Sequence, residues 1–148
     1  MATLREQIDT TLPIDAAFAF VADFGNAERW DPGVVTSVRT NPGPVGVGAS
    51  YHLGVRLNGR TAPMDYEITV FEPSRRVVLK GTGSGVSAVD DIRFEATNAG
   101  TRIDYVADIR LVGLLRLAAP FAGGAFARIA RDASDGMRRT LDRLGEGA

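Results

Sequence analysis

Asp90 is the carboxylate whose place in the sequence says most about chemistry. It shares the parity of Ile92 and Phe94, whereas Asp91 falls with Arg93 and Glu95. On an alternating strand that parity puts Asp90 on the apolar face, where desolvation raises a carboxyl pKa and suits it to act as a general acid or base. A second reading starts the strand only at Asp91, or lets a bulge near Gly81, Gly83 and Gly85 reverse the register and leave Asp90 in solvent. The three tyrosines, Tyr51, Tyr66 and Tyr105, also lie on the apolar parity of their segments. A buried phenol needs a hydrogen-bond partner. They could orient the carbonyl or hydroxyl of a ligand, or bond to one another, to backbone or to water. If the chain is an enzyme, Asp90, Tyr66 and Tyr105 are its candidate catalytic groups.

Other chemistries have little to work with. There is no cysteine, which removes disulfides, thiolate metal sites, Fe–S clusters and thiol nucleophiles. His52 is the only histidine, and its parity is outward with Arg56, away from Tyr51 and Leu53. A metal site would have to be mainly carboxylate and no such cluster appears, so neither a metal nor a cofactor is expected. The Gly81-x-Gly83-x-Gly85 run lacks the Lys-Ser/Thr and the helix that a phosphate loop needs, and reads as an edge loop able to gate an entrance. Trp30, ahead of Asp31-Pro32, either lines a pocket mouth or packs as an anchor, with packing the favoured reading.

Seventeen basic and eighteen acidic residues give a net charge of −1, without the basic stripe that nucleic acid requires. The most apolar segment, residues 112–130, is broken by Arg116, Pro120, Gly123, Gly124 and Arg128, so no membrane span is expected. The amino-terminal residues show no apolar export-signal core, which makes the cytoplasm the expected compartment.

These groups must be held by elements, and the periodicity supplies them. At 148 residues the chain has room for one domain, 1–148. Alternation predicts strands over 3–12, 34–40, 50–58, 62–71, 76–83, 87–97 and 101–111. Between the first two, Ala17, Phe18, Val21 and Ala22 recur at helical spacing after Asp15, a candidate cap, and residues 27–30 form a second short helix or a turn. The last helix carries Phe121, Ala125, Ile129, Ala133, Met137 and Leu141 at spacings of four. It starts either near Leu115, with a disturbance at Pro120 and Gly123-Gly124, or only after Gly124. The order β-α-α-β6-α predicts an α+β domain, a curved antiparallel sheet wrapped around the long terminal helix.

That order, together with Trp30-Asp31-Pro32, Val45-Gly46-Val47-Gly48, Tyr66-Glu67-Ile68, Phe71-Glu72-Pro73-Ser74-Arg75-Arg76 and Gly100-Thr101-Arg102, resembles the START-like helix-grip superfamily. The similarity is to its bacterial polyketide cyclase/dehydrase and lipid-transport branch and runs from Thr3 to Leu144. The resemblance implies a cavity between sheet and terminal helix that holds a small apolar molecule, whether lipid, aromatic or polyketide-like. It carries over no catalytic residue.

If each apolar parity faces the helix, the expected ligand-binding residues are Tyr51, Leu53, Met64, Tyr66, Ile68, Leu79, Asp90, Ile92, Phe94, Tyr105 and Ala107 from the sheet. Phe121, Ala125 and Ile129 join them from the helix, with Val55, Ile103, Phe126 and Met137 beside them. Two rival functions stand next to ligand binding. One is a cyclase, aromatase or dehydratase using the same cavity. The other is a protein-interaction module with a filled core and an exposed apolar patch along residues 112–119, for which a homodimer is one form.

Overall fold

The computed structural model of the chain describes residues 2–57, 59–121 and 123–146, with the side chains of all but 118–121 and 123. Strand β1 (Ala2–Thr10) leads into helix α1 (Ile14–Ala22), a 3-10 turn (Phe24–Asn26) and the short helix α2 (Ala27–Trp30). Six strands follow: β2 (Val34–Arg39), β3 (Ser50–Leu57), β4 (Arg60–Glu72), β5 (Arg76–Gly83), β6 (Val86–Thr97) and β7 (Gly100–Leu111). A 3-10 stretch (Gly113–Phe121) then joins the sheet to α3 (Gly123–Glu146).

All seven strands form one antiparallel sheet in the order β1-β7-β6-β5-β4-β3-β2. The fold is α+β helix-grip, with α3 laid across the inner face. Register shifts between Val34 and Thr36 and between Ile68 and Val70 mark bulges, which bend strands and increase their twist. The carboxy-terminal end of α3 is fastened to β1: Thr10 donates its hydroxyl to Asp142 at 2.6 Å, and the Thr11 amide donates to the same oxygen at 3.1 Å.

Alternation predicts the strands well, and β5 matches residue for residue. The helix boundaries differ more. Pro13, without a side-chain bond, precedes α1, and Asp15 lies in the first turn, where its carboxylate accepts from Ser74 at 2.7 Å. Asp23 ends α1 and caps the next turn by accepting from the Gly25 amide at 3.1 Å. Of the two starts expected for the last helix, the later one is nearer. The α-helix begins at Gly123, after 3-10 geometry over Gly113–Phe121.

The glycine run is also not an edge loop. Gly81 and Gly83 belong to β5, inside the sheet, and only Ser84-Gly85 makes the turn into β6. Gly81 is required by Tyr66: a Cβ there would sit 2.4 Å from the phenol ring across the β4–β5 pair.

At one end of the inner face the packing is solid. Phe18 of α1 meets Phe71 and Phe94 edge-on at ring distances of 5.2 and 5.1 Å. Ile8, Leu79, Ile92, Ile103, Met137 and Leu141 beside them are completely shielded from solvent. At the other end the same face does not close.

Candidate functional site

The hollow lies where β3 ends, β6 begins and α3 enters, and its volume is about 150 Å³. The sheet contributes Leu53, Val55, Met64, Tyr66, Ala88, Asp90, Tyr105 and Ala107, with Leu4 and Glu6 from β1. The helices contribute Ala27 and Trp30, then Phe126, Ile129, Ala130, Ala133, Ser134 and Met137. Space remains because so many wall positions are small. Ala27, Ala88, Ala107, Ala130, Ala133 and Ser134 all face it, and none reaches the residue opposite.

Asp90 takes the inward reading of its two. In the β5–β6 pair Leu79 is opposite Asp90, so the turn at Ser84-Gly85 keeps the parity that Ile92 and Phe94 set. Asp90 is buried, and the Tyr105 hydroxyl donates to its Oδ2 at 2.6 Å. Desolvation pushes its pKa up to about 6, the bond from Tyr105 pulls it down, and the charge of Asp31 raises it further. Burial, followed by the nearby Asp90 charge, raises the phenols of Tyr105 and Tyr66 well above the usual range, so both stay protonated donors. Tyr66 has no hydrogen-bond partner among the described residues.

Asp31 is the site residue that sequence reasoning missed. It ends α2, and the chain reads there as a helix stop ahead of Pro32. Its Oδ1 accepts from the Gly33 amide at 2.8 Å, yet burial raises its pKa to about 6, with a smaller push from Asp132 on α3. Strand parity cannot reach a residue in a helix–strand connection, so the available signal was only its position next to an aromatic anchor.

Trp30 does both things weighed for it. It is packed against Phe24 at 6.1 Å and Tyr105 at 6.2 Å, and it also forms part of the cavity wall. Its indole N–H is buried without a partner. Two contacts hold its helix in place. The Thr140 hydroxyl of α3 donates to the Arg29 carbonyl at 3.2 Å, and Ser37 of β2 accepts from the Glu28 amide at 3.1 Å while donating to the Gly25 carbonyl at 2.8 Å. Helix α3 comes so close that a Cβ on Gly136 would lie 2.2 Å from the Trp30 carbonyl oxygen.

Of the residues expected at a ligand, Leu53, Met64, Tyr66, Asp90, Tyr105, Ala107 and Ile129 border this cavity. Ile68, Leu79, Ile92 and Phe94 do not border it; they are buried in the core, Phe94 against Phe18 of α1. Tyr51 is turned toward Phe24 at 6.4 Å and lies under Arg39, away from the cavity. Its buried hydroxyl has no partner, and burial raises its pKa to about 12. Ala125 is exposed. A strict spacing of four overshoots the helical turn by roughly 40° per step, so Ala125 has rotated off the face that Met137 defines while Phe126 has rotated onto it. The side chain of Phe121 lies outside the described residues. His52 is at the surface, 2.8 Å from Asp65, as its parity predicts. Among the described residues no group of His, Asp or Glu is placed to hold a metal, and no helix is long and apolar enough to cross a membrane.

Leu114 and Leu117, in the 3-10 stretch between β7 and α3, are 89% and 81% exposed, so the described part of the apolar patch expected along residues 112–119, residues 112–117, is at the surface; the side chains of 118 and 119 lie outside the described residues. The patch does not accompany the filled core expected of an interaction module. Leu115 of the same stretch packs onto Gly85, where a Cβ would lie 2.4 Å from it.

Comparison with known proteins agrees with this geometry. Over residues 1–145 the chain matches the family described as polyketide cyclase/dehydrase and lipid transport, and it belongs to that family. Among solved structures it is similar to the Zhui aromatase/cyclase from Streptomyces sp. R1128, with a TM-score of 0.77 at 14% identity, covering 98% of this chain and 93% of that one. A START superfamily protein from Mycobacterium smegmatis gives a TM-score of 0.73 at 12% identity, with 98% and 97% covered. A protein of Thermus thermophilus gives 0.78 at 10% identity, covering 99% of this chain and all of the other. At these identities the structures share the fold. No curated protein sequence matches the chain.

Proposed function

We propose that this chain binds a small, largely apolar molecule in the cavity between the sheet and α3. The observation that carries the reading is a hollow of about 150 Å³ walled by aliphatic and aromatic groups, Trp30 among them. Leaving so much apolar wall to water costs free energy that a filled core would not, so a role for the space is the economical account. Size limits the guest. A dry apolar cavity of roughly 150 Å³ in another protein admits benzene, which favours a molecule of one or two rings over a long acyl chain. Tyr66 would donate to an oxygen on it, while the hydrocarbon wall supplies most of the affinity.

Trp30 is the only tryptophan, so its fluorescence reports directly on the wall. A panel of one- and two-ring ligands should shift that emission and raise Tm. If no member of the panel does either, the reading fails.

A second reading, a cyclase, aromatase or dehydratase, draws on the Asp90–Tyr105 pair at 2.6 Å. With its pKa raised to about 6, Asp90 could take and return a proton near neutral pH, and Tyr105 would steer it. Turnover of an aromatic or polyketone substrate that survives in both Asp90→Asn and Tyr105→Phe would remove this role.

A further inference from the structure

The cavity wall holds three carboxylates, Glu6, Asp31 and Asp90, and no lysine, arginine or histidine among the described residues. The chain as a whole is nearly balanced, with 17 basic and 18 acidic residues, so this one-signed lining is a local departure. The imbalance is not corrected from behind. Asp90 is faced by Tyr105 from β7, Tyr66 from β4 and Asp31 at the end of α2, and Asp31 by Asp90 and by Asp132 from α3. Elsewhere in the molecule, carboxylates near arginines are paired, as Asp91 is with Arg76 at 2.9 Å on the outer face of the same strand. A buried carboxylate is normally paired, so one side of a pair is missing here.

The rest of the wall is suited to that missing partner. Phe24, Trp30, Tyr66, Tyr105 and Phe126 surround the hollow, and Phe24 stands 5.3 Å from Tyr66 and 6.1 Å from Trp30. Aromatic faces attract a cation, most strongly when water is excluded.

We propose that the ligand of this cavity is an amine. It would be a compact ring compound with a protonated nitrogen set against Asp31 and Asp90 among the aromatic faces. This rests on the cavity reading above and narrows it to one charge class. Carboxylate ligands such as fatty acids are disfavoured by the same three acids.

The test uses three probes of matched size, 2-phenylethylamine, 2-phenylethanol and phenylacetate, titrated against the full chain at pH 7.5 with Trp30 emission as readout. The amine is expected to bind at least ten-fold tighter than the alcohol, and the acid not measurably. Its advantage should fade as pH falls through 6 and the two aspartates take up protons. In Asp31→Asn/Asp90→Asn the amine should lose its ten-fold lead over the alcohol, with a cooperative melt and an unchanged far-UV circular dichroism spectrum showing that the variant is folded. A lead that persists in this variant overturns the assignment to these two carboxylates. Equal or tighter binding of the alcohol or the acid to the unmodified chain overturns the amine assignment and leaves the cavity reading standing. Binding by none of the three overturns both.

Discussion

On β6, Ile92 and Phe94 are locked against α1 and β7, whereas Asp90, Ala88 and Val86, on the same inner face of the same strand, border open space. β7 repeats the pattern, with Ile103 fully enclosed and Tyr105, Ala107 and Ile109 along the hollow. So does α3, where Leu141 is fully buried and Ile129 and Ala133 are not. Strand parity is therefore not what separates solid from hollow. The second layer does that. At the solid end α1 inserts Ala17, Phe18 and Val21, and at the other end α2 and the first turns of α3 face the sheet with Ala27, Ala130, Ala133 and Ser134 set between the larger Trp30, Phe126 and Ile129. Inward-pointing groups become a core where a second layer fills the space above them and a cavity where small residues leave gaps in that layer.

The contrast can be broken most forcefully at the solid end. Ile92→Ala should cost about 3–4 kcal/mol in urea unfolding, since nothing nearby can collapse into the space. Ile129→Ala, on a wall that already borders empty volume, should cost well under half of that. Equal losses would mean that the two ends are packed alike.

Asp90→Asn sharpens the contrast through pH. Folding raises this carboxyl from 3.8 to about 6, so the folded chain holds the proton more tightly than the unfolded one. That contribution is fully favourable below about pH 4, is lost as pH rises from 4 to 6, and remains a penalty above. The asparagine variant should thus be more stable at pH 7.5, by up to about 3 kcal/mol, with the gain disappearing near pH 4. A variant less stable than the parent at pH 7.5 would mean that the carboxylate is already compensated.

Gly136→Ala probes the crossing that carries Trp30. A methyl 2.2 Å from the Trp30 carbonyl must push α3 and α2 apart, at a cost of about 1–3 kcal/mol and with a red shift of the Trp30 emission. Unchanged emission would show that α2 is not held there. The smallest effect is expected at the surface, where Leu114→Ser/Leu117→Ser should leave stability within about 0.5 kcal/mol.

Much of this was legible beforehand. Alternation located every strand and put Tyr66, Asp90 and Tyr105 on the inner face, because a period of two allows one register once Ile92 and Ile103 must be buried. It could not show which end of that face would stay open, since Ile68 and Asp90 carry the same parity and differ only in what α1 and α3 bring opposite them. The small residues Ala88, Ala107, Ala130 and Ala133 were a usable sign of the hollow. Asp31 and the drift of Ala125 lay beyond parity altogether, the first in a connection and the second at the end of a stripe with slightly the wrong period.

The most direct test is to fill the hollow and watch both stability and binding. In calorimetric titrations with a one-ring ligand, the parent chain should bind. Ala88→Leu/Ala133→Leu should melt at the same or a higher temperature and bind nothing. A doubly substituted chain that unfolds at markedly lower temperature, beside a parent that binds no ligand, would show that there was no room to fill.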